Sequence, residues 1–237
     1  MQSPNTASPA PLFPEGNHFQ PDGFFASFFR EAICSAYGWG PVQIFQAYTV
    51  LIQQDTPLDA VYYLDKGSVK LTWVDQAGHE VIAGLRHHLW IIGAPAVLLE
   101  KPYSFTVTTL TRSSMRCIAA GKFLYLVKTH PEFALHLMRM LSLEVFNQGK
   151  KLVIMECLPA RDRLKNLLCR FIHDVHTQKQ IKIDLPLKHK ELAQVVGVTP
   201  EHLCRLLKEL EREKLIKRTK DGLIFPNPEK LHEWAHL

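Results

Sequence analysis

The side chains best placed for chemistry cluster near the C-terminal end of the sequence. Thr199, Pro200, Glu201, His202, Arg205, Lys208 and Arg212 occur in one short run. On a helix, residues three and four apart are neighbours, so Glu201, Arg205, Lys208 and Arg212 share an outward side. Arginine presents two donors to the O6/N7 edge of guanine, and glutamate accepts from cytosine N4. Lys208 and Arg212, with Lys188 and Lys190 upstream, suit phosphate oxygens. Glu201 and Arg205 are also spaced to pair with each other. Positive charge at a helix start would add to anion binding at Thr199. The chemistry is recognition of a polyanion with a readable edge, not bond breaking.

Such residues need a frame, and the neighbouring sequence supplies one. Thr199 is a good helix N-cap and Pro200 fits the first helical position, where its missing N–H is no loss. Leu203, Leu206, Leu207 and Leu210 then form an apolar stripe on a helix running to about residue 213. Before it, residues 188–196 read as a second helix with Leu192, Val195 and Val196 inward and Gly197 as C-cap. Two short helices joined by a Gly-containing turn make a helix-turn-helix. Residues 160–176 form an amphipathic helix and 181–185 a short strand. Lys217-Arg218-Thr219 and Leu223-Ile224-Phe225 flank Lys220-Asp221-Gly222, which reads as a basic hairpin beside the second helix.

The first two thirds of the chain are different. Phe24, Phe25, Phe28, Phe29 and Ile33 predict a helix over 22–36. Strand-like runs follow at 61–64, 69–74, 80–85, 106–111 and 115–119, punctuated by turn residues. Their spacing implies an antiparallel β-roll. Residues 123–128 read as a short helix, and His130-Pro131 opens a long one. In it Met138, Leu141, Val145, Gln148, Leu152 and Met155 keep an a/d heptad spacing, the pattern of a helix paired with a second copy across a dimer interface. A core-facing helix of a monomer is the alternative. Leu158-Pro159 ends the helix and reads as a hinge.

Charge sharpens the division. The net charge is +5. Residues 1–156 carry 12 Lys+Arg and 12 Asp+Glu, whereas 157–237 carry 16 and 11, so the whole excess lies in the last third. A one-sided basic region favours a polyanionic partner. The five cysteines (Cys34, Cys117, Cys157, Cys169, Cys204) form no C-x-x-C pair, which points to thiols in a reducing compartment rather than to disulfides or zinc. No signal or membrane-spanning segment is expected, so a cytoplasmic location is anticipated. Five prolines within residues 1–21 predict a disordered tail. The expected organisation is a tail over 1–21, a β-roll sensor over 22–130, a dimerisation helix over 131–157 and a winged helix-turn-helix over 158–237. The fold class is α+β.

Two stretches carry a resemblance. Residues 61–71 (VYYLDKGSVKL) and 187–211 (LKHKELAQVVGVTPEHLCRLLKELE), set in that order of elements, resemble the Crp–Fnr family of bacterial transcription regulators. The resemblance covers about residues 40–227. It implies a homodimer on pseudo-palindromic duplex DNA, with RNA polymerase as a further partner. It also implies base contacts from Glu201 and Arg205. Pro200 stands where the family often has an arginine, so readout must differ in detail.

The same resemblance implies an effector pocket around Gly93, Ala94, Pro95, Leu98, Ser104, Phe105 and Gln148. Cyclic-AMP-binding members carry Gly-Glu-Leu and Arg-Ser there; this chain has Gly93-Ala94-Pro95 and Ser104-Phe105, and Gln148-Gly149 in place of a Thr-Ser pair. Losing the charged phosphate partner should cost several kcal/mol in a buried site, which argues against cyclic AMP bound in the usual way. No cofactor is assigned. The small apolar residues fit a filled core better than an apolar-ligand pocket. Other readings are a cupin-like metal enzyme using His79, His87 and His88, and a sensor acting through protein contacts alone. His87 and His88 are adjacent and would point opposite ways on a strand, which disfavours a shared metal. The reading preferred is a DNA-binding regulator and not an enzyme.

Overall fold

The computed structural model describes residues 37–87, 89–170, 181–183, 186–219 and 222–227. The helix expected at 22–36 and the tail at 1–21 lie outside them. The chain separates into two compact units that divide between Gly149 and Lys150.

The first unit is the roll. Its strands are β1 (Gln43–Phe45), β2 (Val50–Ile52), β3 (Ala60–Lys66), β4 (Ser68–Val74), β5 (Glu80–His87), β6 (Trp90–Ile92), β7 (Thr106–Thr109) and β8 (Ser113–Ala119), with a short helix α1 (Ala94–Leu99) between β6 and β7. They form two antiparallel four-stranded sheets in the orders β1-β8-β3-β6 and β2-β7-β4-β5. Side chains alternate across a strand, and β3 uses both sides. Leu64 points between the sheets, among Val69, Leu71, Val107 and Met115. Val61 and Tyr63 point the other way, onto Phe123 and Phe133 of the helices that follow. Gly67, at φ 101°, makes the tight β3–β4 turn, where a Cβ would collide with Ser113.

The helices that follow are α2 (Ala120–Thr129) and α3 (Pro131–Cys157). The start of α3 is anchored by Phe133, Leu137 and Met140, all buried. Pro131 stands at the head of this helix, where it removes no needed hydrogen bond.

The second unit holds α4 (Ala160–Arg170), β9 (Ile181–Ile183), α5 (His189–Val196), α6 (Pro200–Arg212), β10 (Lys217–Arg218) and β11 (Leu223–Phe225). The three strands pair antiparallel in the order β10-β11-β9. Leu164, Leu168, Leu192, Val196, Leu203, Leu207, Leu210 and Phe225 are buried in this unit. The apolar stripe of α6 is therefore inside, as its spacing requires.

Candidate functional site: a helix-turn-helix and a cavity in the roll

The turn between α5 and α6 is built by its caps. Gly197 takes φ 74° and its N–H returns to Gln194. The Thr199 side chain accepts from the N–H of His202 at 3.2 Å. Glu191 accepts from the Lys188 N–H at 2.8 Å and closes the start of α5. Arg163, on α4, braces the turn from below. Its Nε donates to the Val196 carbonyl at 2.9 Å and its Nη2 to Gly197 at 3.2 Å. Its Nη1 donates to Leu158 at 3.1 Å and Met155 at 3.2 Å. One guanidinium thus ties the turn to the Leu158-Pro159 break and the last turn of α3.

With its stripe buried, α6 leaves Thr199, Pro200, Glu201, Arg205, Lys208 and Arg212 exposed, and His202 half-exposed. Lys188 and Lys190 are exposed at the start of α5. Glu201 and Arg205 form no ion pair, contrary to what their spacing allows. The Glu201 carboxyl is instead held below the ordinary range by its own N–H, then by the Thr199 hydroxyl and the nearby His189. Arg205 is left with its donors outward.

The hairpin β10–β11 is fixed to α6 through Arg218. Glu211 accepts from the Arg218 N–H at 3.1 Å and from its Nε at 2.9 Å. These bonds hold the Glu211 carboxyl below its usual value. Arg218 is thereby committed to positioning the wing. Lys220 and Asp221, at the expected tip, lie outside the described residues.

The roll contains a cavity of about 210 Å³. This space lies beside the small apolar residues that were expected to fill a core. Gly93, Pro95, Ser104 and Phe105, four of the residues expected around an effector pocket, line it. Three other expected residues do not. Ala94 is fully buried and, with Leu98, packs in the cluster against the helices, because both point to the far side of α1. Gln148 is exposed on α3, and reaches the cavity only through Glu144, to which its Nε2 donates at 2.6 Å. The walls include three charged groups that the sequence reading missed: Lys101, and Arg86 of β5 and Glu144 of α3, the last two joined as an ion pair. Arg86 and Glu144 are 58 residues apart, and nothing local signals the pairing. Tyr103 also lines the cavity, and burial pushes its hydroxyl up to about 12, so it stays neutral.

Among the described residues no group of three or more His, Cys, Asp or Glu could hold a metal ion. His79 sits in the β4–β5 turn with its Nδ1 2.8 Å from Asp75. His87 ends β5, and His88 lies outside the described residues. Cys117, Cys157, Cys169 and Cys204 form no disulfide.

A β-roll followed by a long helix and a winged helix-turn-helix, with a charged, exposed recognition helix, defines a DNA-binding transcription regulator. Residues 42–130 match the family model for the cyclic nucleotide-binding domain, and 162–234 match that for the Crp-like helix-turn-helix domain. The chain belongs to the Crp–Fnr family of regulators, and its relatives are regulators and not enzymes. It is 27% identical over 199 residues to the global nitrogen regulator of Synechocystis sp., covering 79% of this chain and 85% of that one. It is 25% identical over 171 residues to the cAMP-activated global transcriptional regulator CRP of Salmonella typhimurium, covering 71% and 81%. The fold matches the structure of FixK2 from Bradyrhizobium japonicum with a TM-score of 0.70 at 16% identity, covering 82% of this chain and 96% of that one.

Proposed function

We propose that this regulator acts as a homodimer in the cytoplasm, laying α6 of each copy into successive major grooves of a pseudo-palindromic site. Glu201 and Arg205 read bases there. Lys188, Lys190, Lys208 and Arg212 hold phosphates, with Thr199, Pro200 and His202 at the helix entry against the backbone. The observation that carries this reading is the exposure of Glu201 and Arg205 on a helix whose other side is buried. Half-sites should lie about one helical turn apart, roughly 34–36 Å. RNA polymerase is the further partner expected at promoters. Among the described residues no helix is long and apolar enough to cross a membrane, which fits the proposed location.

Support for the dimer comes from α3. Met138 is 56% exposed, Val145 73% and Leu152 67%. Gln148 is also open, while Leu141 and Met155 are half-buried within the protomer. Exposed apolar residues in a row on one helix mark an interaction surface, and the heptad spacing suits a second copy of the same helix. We assign the roll as the sensor, α3 as the dimer helix and the remainder as the DNA-binding domain. The signal is not cyclic AMP held in the usual way. CRP of Salmonella typhimurium is cAMP-activated, but here the expected Glu and Arg positions are Ala94 and Ser104. Selecting bound sequences from random duplexes, beside sedimentation analysis of the free protein, tests both halves. A symmetric motif and a dimer are expected; an asymmetric single half-site bound by a monomer contradicts the proposal.

A further inference from the structure

The cavity in the roll holds a charge that its apolar walls would not otherwise tolerate. Trp90, Ile92, Pro95, Phe105 and Leu141 form much of the lining, yet the Arg86 side chain enters it and is only 12% exposed. A guanidinium taken from water is costly unless its donors are met. Here they are met in part. Nη2 pairs with Glu144 and Nη1 donates to the Leu85 carbonyl at 2.8 Å. Nε is buried with no acceptor among the described residues. The guanidinium carbon also lies 5.2 Å from the Trp90 ring centroid.

Gly84 makes the placement possible. It sits two residues before Arg86 on the same side of β5, and a Cβ there would stand 2.5 Å from Nη1 and 3.2 Å from Nη2. The counter-charge comes from a different element. Glu144 is 23% exposed and is shared between Arg86 and the Gln148 amide. The neutral Tyr103 hydroxyl and the Ser104 hydroxyl add further possible donors along the wall. The cavity therefore has donors to spare, and its one carboxylate is on the more exposed partner.

Building on the reading of the roll as a sensor, we propose that this cavity binds a small apolar carboxylate, whose carboxylate group displaces Glu144 from Arg86. The planar guanidinium fork matches a carboxylate bidentately. A volume of about 210 Å³ is below the roughly 300–1,000 Å³ of sites for drug-sized ligands, so the body is a single ring or a short chain. Trp90, Phe105 and Leu141 receive that body. A cation is disfavoured because Glu144 already accepts from two donors while Arg86 keeps one unmet. Displaced Glu144 releases Gln148, which lies on the exposed stripe of α3, so occupancy is felt at that position.

The test is calorimetric titration of the full chain with octanoate and phenylacetate, and with octanamide and phenylacetamide as neutral counterparts. At least one acid should bind in the micromolar to millimolar range, with its amide weaker by about tenfold or more. Arg86→Met should abolish acid binding and Arg86→Lys should retain part of it. Glu144→Gln removes the competing carboxylate and should tighten binding about tenfold. That gain also separates the proposal from a merely structural ion pair, and keeps it testable if Arg86→Met fails to fold. Absence of binding by either acid at millimolar concentration, equal binding by an amide, or no gain in Glu144→Gln overturns it. Duplex affinity measured with and without acid separates the two levels. A protein that selects DNA but ignores both acids refutes the cavity proposal and leaves the DNA reading intact. A protein that binds acid with unchanged DNA affinity supports the cavity and refutes the sensor reading.

Discussion

Replacing Arg163 with methionine removes four hydrogen bonds at once while keeping much of the apolar stem. The lost acceptors are the carbonyls of Met155, Leu158, Val196 and Gly197, at 2.9–3.2 Å. Val196 and Gly197 end α5, where the helix dipole favours a cation. Bonds to a charged donor contribute about 1.5–3 kcal/mol each when isolated. The guanidinium is only part-buried and the freed carbonyls can turn to water, so the sum is not realised. A net loss of about 2–4 kcal/mol is expected, large against the roughly 5–15 kcal/mol of a whole domain. Lysine should recover part of it, since one ammonium cannot reach all four carbonyls. Urea unfolding, read with hydrogen exchange at the amides of α5 and α6, measures the C-terminal unit. DNA affinity should fall as well, because the turn that aims α6 loses its brace. A midpoint within about 0.5 kcal/mol of the parent, or lysine no better than methionine, would refute the reasoning.

Three further outcomes are expected. Gly197→Ala forces φ 74° on a residue with a Cβ and drives that Cβ into the Met155 methyl, so a loss of about 1–3 kcal/mol should appear in thermal unfolding, with Met155→Ala relieving only the overlap. Val145→Asp and Leu152→Glu place charge on the exposed stripe of α3; sedimentation should show monomer, with intact circular dichroism and weakened duplex binding. The Arg218–Glu211 contact sets a pH response. Glu211 is depressed in the folded protein, so its contribution is complete above the ordinary value of 4.5 and is lost as pH falls through the lower folded value. Wing amides should therefore gain exchange as the pH falls below that ordinary value in the parent but not in Glu211→Gln.

The parts legible in the sequence were those set by short-range rules. Val61 and Tyr63 against Leu64 follow strand alternation, and the structure places them on opposite sides of β3. Thr199, Pro200 and Gly197 follow capping chemistry, and both helix ends fall where these residues stand. What escaped was set by distant partners. Arg86 and Glu144 meet only once β5 and α3 are packed, and neither stands at a position where the resemblance places a cyclic-AMP ligand. Arg218 reads as one more basic wing residue until Glu211 is seen to hold it. The pair that spacing allows between Glu201 and Arg205 does not form; the carboxylate is held at the start of α6 instead. Helix α1 was not read from the sequence, where Gly93 and Pro95 counted only as pocket residues; they serve as its cap and first turn. The end of α3 at Leu158-Pro159 is legible as a chain break, yet the division between compact units falls at residues 149 and 150, inside α3. Contacts made by Arg163 to Met155 and Leu158 hold the end of α3 to the C-terminal unit.

The DNA-reading role of α6 is tested most directly by enrichment from random duplexes with the parent chain and with Arg205→Ala in parallel. The parent should yield a twofold-symmetric motif, and the variant should lose information at one matching position in each half-site while retaining the rest. Each lost base contact corresponds to about 1–3 kcal/mol of discrimination. A variant that selects the same motif at uniformly lower affinity would contradict base reading by Arg205, and a parent that enriches no motif would contradict the account as a whole.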